Sequence, residues 1–121
     1  MPYNEFRSIE SSQMTGPLRR QPRMHLSLDV NIQGPGVDCT ATSVEVSGGG
    51  MSLERVQHLS IALPVVLNFT LPGAEPMRLN GVVWWKRDKM VGVRFDPADR
   101  SSLLVRRYVE GQAAAAATKA H

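Results

Sequence analysis

Two short stretches of this 121-residue chain carry side chains suited to hold phosphates and purine edges. The first is Arg19-Arg20-Gln21-Pro22-Arg23, and the second is Glu45-Val46-Ser47-Gly48-Gly49-Gly50. Arginine offers a planar fork of N–H donors that pairs bidentately with a phosphate or with the O6/N7 edge of guanine. A carboxylate accepts from the donor edge of the same base, and a serine hydroxyl serves either side. Glu45 and Ser47 stand two apart in a strand-like segment, which puts them on one face, opposite Val44 and Val46. Gly48, Gly49 and Gly50 let the backbone turn sharply and come close to a ligand. The combination describes a site with one rigid wall and one arginine clamp on a mobile lead-in.

The elements that must position these residues follow from the apolar pattern. Met24, Leu26, Leu28, Val30 and Ile32 alternate with polar residues, the period of a strand with one buried face. Gly34-Pro35-Gly36 closes it, and a second strand runs from about Asp38 to Val46 with Val44 and Val46 inward. A third resumes at Met51-Ser52-Leu53 after the glycines. A fourth begins near Pro64 with Val65, Leu67, Phe69 and Leu71 inward, and ends at Pro72-Gly73. The fifth spans about Glu75 to Arg87, with Leu79, Gly81, Val83 and Trp85 on the core side and Trp84 outside. The sixth, Met90 to Phe95, points Val91, Val93 and Phe95 inward.

Asp96-Pro97-Ala98-Asp99 reads as a helix start, with Asp96 as the N-cap and Pro97 at the first helical position. Leu104, Val105, Tyr108 and Val109 make its apolar stripe, with Leu104 and Tyr108 over one barrel end, and Gly111 supplies the stop. The fold expected is all-β with one C-terminal helix: a six-stranded antiparallel β-barrel plugged at one end. Residues 1–17 are expected to form a flexible arm, 18–111 the domain, and 112–121 a disordered Ala-rich tail.

Composition narrows the function classes. Eleven of the 14 cations are arginine, but the net charge is only +3 and aromatic content is 6%. That balance argues against a groove of interleaved cations and aromatics tracking a polynucleotide. No apolar run is long enough to span a bilayer, and no leader pattern appears, so no membrane association and a cytoplasmic location are expected. Cys39 has no cysteine partner in the chain and reads as a small packing residue. His25, His58 and His121 are scattered and read as surface residues. No metal or other cofactor is expected. There is no nucleophile with a base and an orienting group, and no phosphate-cradling loop opening a helix, so the chain does not read as an enzyme.

The order, spacing and placement of the two stretches resemble the paired signatures of the PilZ family: Arg-x-x-x-Arg, then an Asp/Asn-x-Ser-x-x-Gly turn. Arg19 and Arg23 match the first; Ser47 and Gly50 match the second, while Glu45 stands where the family has Asp or Asn. Gly81-Val82-Val83-Trp84-Trp85 and Val91-Gly92-Val93-Arg94-Phe95 are similar to the family's closing strands. The resemblance covers about residues 18 to 111. It implies a bacterial receptor for the second messenger cyclic di-GMP, in which Arg19 and Arg23 hold phosphate and guanine edges. Ser47 and position 45 would read the other side, against the backbone of Gly49 and Gly50. Arg20 is an extra candidate phosphate contact, and Trp84 a candidate base-stacking surface, whereas Trp85 is expected in the core.

Such a receptor implies a downstream effector protein, which the sequence does not identify, and a monomer or weak homodimer. Two alternatives stay open. The longer Glu45 side chain could overshoot the guanine edge, leaving an adaptor that does not bind cyclic di-GMP. A small nucleic-acid-binding barrel is the other.

Overall fold

An extended chain sends successive side chains to opposite faces, so the alternating segments form strands whose apolar sides collect in one interior. The computed structural model describes residues 22–56 and 59–119. Its elements are β1 (Arg23–His25), β2 (Asp29–Gly34), β3 (Val37–Ser47), β4 (Gly50–Glu54), β5 (Pro64–Thr70), β6 (Pro76–Arg87), β7 (Met90–Phe95) and α1 (Ser101–Lys119). All pairings are antiparallel, in the order β3-β2-β5-β6-β7-β4, and β4 pairs back onto β3. The result is a closed six-stranded barrel, which leaves no long free edge. Val30, Ile32, Leu53, Leu67, Leu79 and Val83 are fully buried inside it.

The expected first strand is broken in two. β1 and β2 both pair with β3, and the chain bends between them at Leu26–Leu28. Ser43 holds the bend: its buried hydroxyl accepts from the Leu28 N–H and donates to the Leu26 carbonyl. The ladder hydrogen bonds lost at the bend are thereby replaced locally. Leu26 and Leu28 pack against the core but are only half-buried.

The helix departs from expectation in three ways. Its cap is Asp99, not Asp96: the Asp99 carboxylate accepts from the Ser101 N–H at 2.9 Å. The same carboxylate accepts from the Asn80 backbone and side chain at 2.9 and 3.0 Å, tying the helix start to β6. These N–H donors, the Asn80 backbone first, hold the Asp99 carboxyl below its ordinary range against an opposing desolvation effect. Asp96 instead folds an Asx turn onto the Ala98 N–H.

Starting the helix later rotates the buried face, so Val105, Val109 and Ser102 point inward and Leu104 is 53% exposed. Tyr108 is half-buried against the core. The helix also passes through Gly111 to Lys119. An interior glycine costs about 1 kcal/mol relative to alanine, and the alanines that follow are the best helix formers. No described helix is long and apolar enough to cross a membrane.

Candidate functional site

Two β-bulges decide which side chains reach the outer surface beside the glycine turn. Along β3, Cys39, Ala41 and Ser43 are buried, and strict alternation would bury Glu45 and Ser47 as well. The pairing with β4 shifts between Ser43 and Glu45: Ser43 faces Leu53, yet Glu45 faces Ser52 and Val46 faces Met51. The extra residue, Val44, inverts the face. Val46 is therefore fully buried, Val44 is half-exposed rather than inward as expected, and Glu45 and Ser47 turn outward. Ser52 caps the irregularity, accepting the Glu45 N–H on its hydroxyl at 3.1 Å.

The second bulge lies in β6, where pairing with β7 shifts between Val83 and Trp85. Leu79, Gly81 and Val83 face the core, and Trp85 would follow them. Instead it pairs with Gly92 and lies outside, 40% exposed, which corrects its expected place in the core. Trp84 is outside too, 53% exposed, as expected. Gly92 is what admits Trp85: a Cβ there would come within 2.1 Å of the indole Nε1.

Between the bulges lies an open depression of about 250 Å³ on the barrel's outer face. From β1 and β3 it receives Arg23, Glu45 and Ser47; from the turn and β4, Gly49, Gly50 and Ser52; from β6 and β7, Trp84, Trp85, Gly92 and Arg94. Among the described residues, Glu45 is its only carboxylate. One of its oxygens lies 3.8 Å from Arg23 Nη1, and the other 3.7 Å from Nε2 of His25, its direct cross-strand neighbour. Ser47 shapes the turn, its hydroxyl accepting the Gly49 N–H and donating to the Gly50 carbonyl, both at 3.3 Å.

The turn is pressed from both sides. A Cβ on Gly50 would meet the Val93 carbonyl at 2.4 Å, and one on Gly48 would meet Arg106 of α1 at 2.9 Å. On the far rim the Arg94 guanidinium lies over the Trp84 ring, 4.7 Å from its centroid, a cation–π contact. Such a surface offers forked cationic donors, a carboxylate acceptor, hydroxyls and two indoles, groups able to pair with phosphates and base edges.

Of the residues singled out from sequence, Arg23, Glu45, Ser47, Gly49, Gly50 and Trp84 meet in this one depression. Arg19 and Arg20 lie outside the described residues, as do the arm 1–17 and His58 and His121. Trp85, Ser52, Gly92 and Arg94 were missed. The alternation Val91-Gly92-Val93-Arg94-Phe95 does put Gly92 and Arg94 on the outer face. What it lacks is the partner: Gly50 stands opposite Arg94 only because β4 and β7 pair. Among the described residues no cluster of His, Cys, Asp and Glu could hold a metal ion.

Residues 17–111 match the family model described as the PilZ domain. Among solved structures, the PilZ domain of CeSA from a cellulose-synthesizing bacterium superposes with a TM-score of 0.61 at 19% identity, over 74% of this chain and 96% of that one. The Bacillus subtilis inhibitor of motility (MotI/DgrA) superposes with a TM-score of 0.66 at 18% identity, over 79% of this chain. This chain spans about half of that protein, 51%. Both show the same fold. No curated protein sequence matches the chain closely enough to count as a relative.

Proposed function

The chain belongs to the PilZ domain family, and from that premise we propose that it is a non-enzymatic cytoplasmic bacterial receptor that binds cyclic di-GMP in the outer-face depression and signals through a partner protein. The observation that carries this reading is the β3 bulge, which turns Glu45 and Ser47 out of the core and into the same depression as Arg23 and Gly50. A bulge that costs a ladder hydrogen bond and exposes a carboxylate beside an arginine serves ligand presentation better than packing.

In this mechanism Arg23 exchanges its contact with Glu45 for a phosphate or the O6/N7 edge of a guanine. Arg19 and Arg20, just upstream, supply further donors. Glu45, relieved of Arg23, accepts from the donor edge of a guanine, and the Gly49–Gly50 backbone lets the ring approach. Trp84 offers a flat face for a base. No covalent step is involved. One structural neighbour bears the name of an inhibitor of motility, which fits a receptor acting through another protein.

Isothermal titration calorimetry with cyclic di-GMP tests the proposal. Saturable binding with a defined stoichiometry is expected. Absence of heat, with a folded protein, would favour the second reading, an adaptor without ligand. That alternative draws on Glu45 in place of a shorter acid, its carboxylate already occupied by Arg23 and His25.

A further inference from the structure

We propose that Arg94 is a guanine-reading residue that sets the choice of guanine over adenine; this rests on the site being a cyclic di-GMP receptor. Arg94 is directed outward because Val93 and Phe95 on either side of it are buried. It stands directly opposite Gly50 on one side and Val82 on the other, so it lies between the glycine turn and the Trp84 platform. Among the described residues it forms no ion pair, in contrast to Arg23.

Among the described residues its side chain meets the Trp84 ring, the guanidinium carbon lying over it 4.7 Å from the centroid. A cation–π contact leaves N–H donors of the guanidinium fork available to a ligand. It also holds those donors above the indole, at the edge of any base that stacks on the same ring. A phosphate gains nothing from a neighbouring aromatic face, whereas a base can stack on the indole and present its edge to the fork. Guanine presents two acceptors, O6 and N7, to such a fork; adenine presents N7 but sets an N–H₂ donor where O6 would be. Arg94 therefore rewards one purine and opposes the other. Glu45, which would read the opposite edge of a base, is shared with Arg23 and His25, so guanine recognition is better divided between two walls than carried by Glu45 alone.

The test is calorimetry of the full chain with cyclic di-GMP and cyclic di-AMP, using the parent, Arg94→Ala and Arg94→Lys. Both variants should keep the parent's melting temperature, because the side chain is exposed. Both should bind cyclic di-GMP about tenfold or more weakly, since a good bidentate pair discriminates by about 1–3 kcal/mol. Lysine keeps the charge but lacks the fork, so it should not restore binding, and affinity for cyclic di-AMP should not fall with either change. The proposal is overturned if Arg94→Lys binds cyclic di-GMP like the parent, if Arg94→Ala does, or if both nucleotides weaken by the same factor. A folded parent that binds cyclic di-GMP not at all would overturn the receptor reading itself, an outcome separable from the others.

Discussion

The Arg23 guanidinium lies 3.8 Å from the Glu45 carboxylate, so the two signature stretches, distant in sequence, already touch across the β1–β3 ladder. The contact is exposed, with the Arg23 side chain 70% accessible, and pairs of that kind contribute about 0–1 kcal/mol to stability. On the proposed function, its importance is to the ligand rather than the fold. Arg23→Ala should leave the melting temperature almost unchanged. It should weaken cyclic di-GMP binding by about tenfold or more, since a hydrogen bond to a charged group contributes about 1.5–3 kcal/mol. Calorimetry and thermal denaturation on the same sample check both halves, and parent-like binding would remove Arg23 from the site.

Position 45 tests the departure from the family pattern. Aspartate is one methylene shorter, which draws the carboxylate back from Arg23 and His25 and toward the floor of the depression. Glu45→Asp should bind cyclic di-GMP at least as tightly as the parent, with a gain of up to about tenfold, or 1.4 kcal/mol. Glu45→Ala should bind more weakly. Equal affinities for all three would show that the carboxylate does not read the base.

The close approach of β4 to β7 makes Gly50 a test of the frame. A methyl there would meet the Val93 carbonyl at 2.4 Å, and a backbone atom in a barrel ladder cannot move aside cheaply. Gly50→Ala should destabilise the protein by about 1–3 kcal/mol, the usual range for overpacking. Chemical denaturation measures it, and a variant as stable as the parent would mean that the β4–β7 spacing is wrong.

Asp99 gives a prediction in pH. Its folded pKa is lowered, chiefly by the Asn80 backbone N–H, so the unfolded chain holds the proton more tightly. The stability it contributes is complete above the ordinary aspartate value of about 3.9 and is lost as pH falls through the folded value. Asp99→Ala should cost about 0.5–2 kcal/mol near neutral pH, as loss of an N-cap does. The gap between parent and variant should narrow as pH drops below that range. Melting curves of both proteins from pH 7 down to strong acid measure it, and a gap that does not change with pH would exclude the carboxylate as its source.

Local chemistry determined much of this protein directly. Alternation at Met24–Ile32, Val65–Leu71 and Val91–Phe95 could satisfy both a core and a solvent face only as strands, and the prolines and glycines marked the turns. Arg23, Glu45-x-Ser47, Gly49 and Gly50 were picked out by side-chain type alone, and they do meet in one depression. The helix was legible as an element but not in phase, because whether Asp96 or Asp99 caps it depends on Asn80 of β6 being within reach. That phase exposes Leu104 and buries Val105.

The faces of Trp85 and Val44 were decided the same way. A bulge is a mismatch between two strands, so Ser43–Glu45 acquires one only against Leu53–Ser52, and Val83–Trp85 only against Val93–Gly92. A single strand's sequence has period two and carries no record of its partner's register. Glu45 and Ser47 were expected outside for the simpler reason that Val44 and Val46 looked like core. They are outside because Ser43 is core and the strand then slips by one residue. Arg94 entered the site by pairing alone, when barrel closure set β7 beside β4 and brought it opposite Gly50. The sequence thus determined which polar and aromatic side chains were available, and the tertiary register decided which of them face one another.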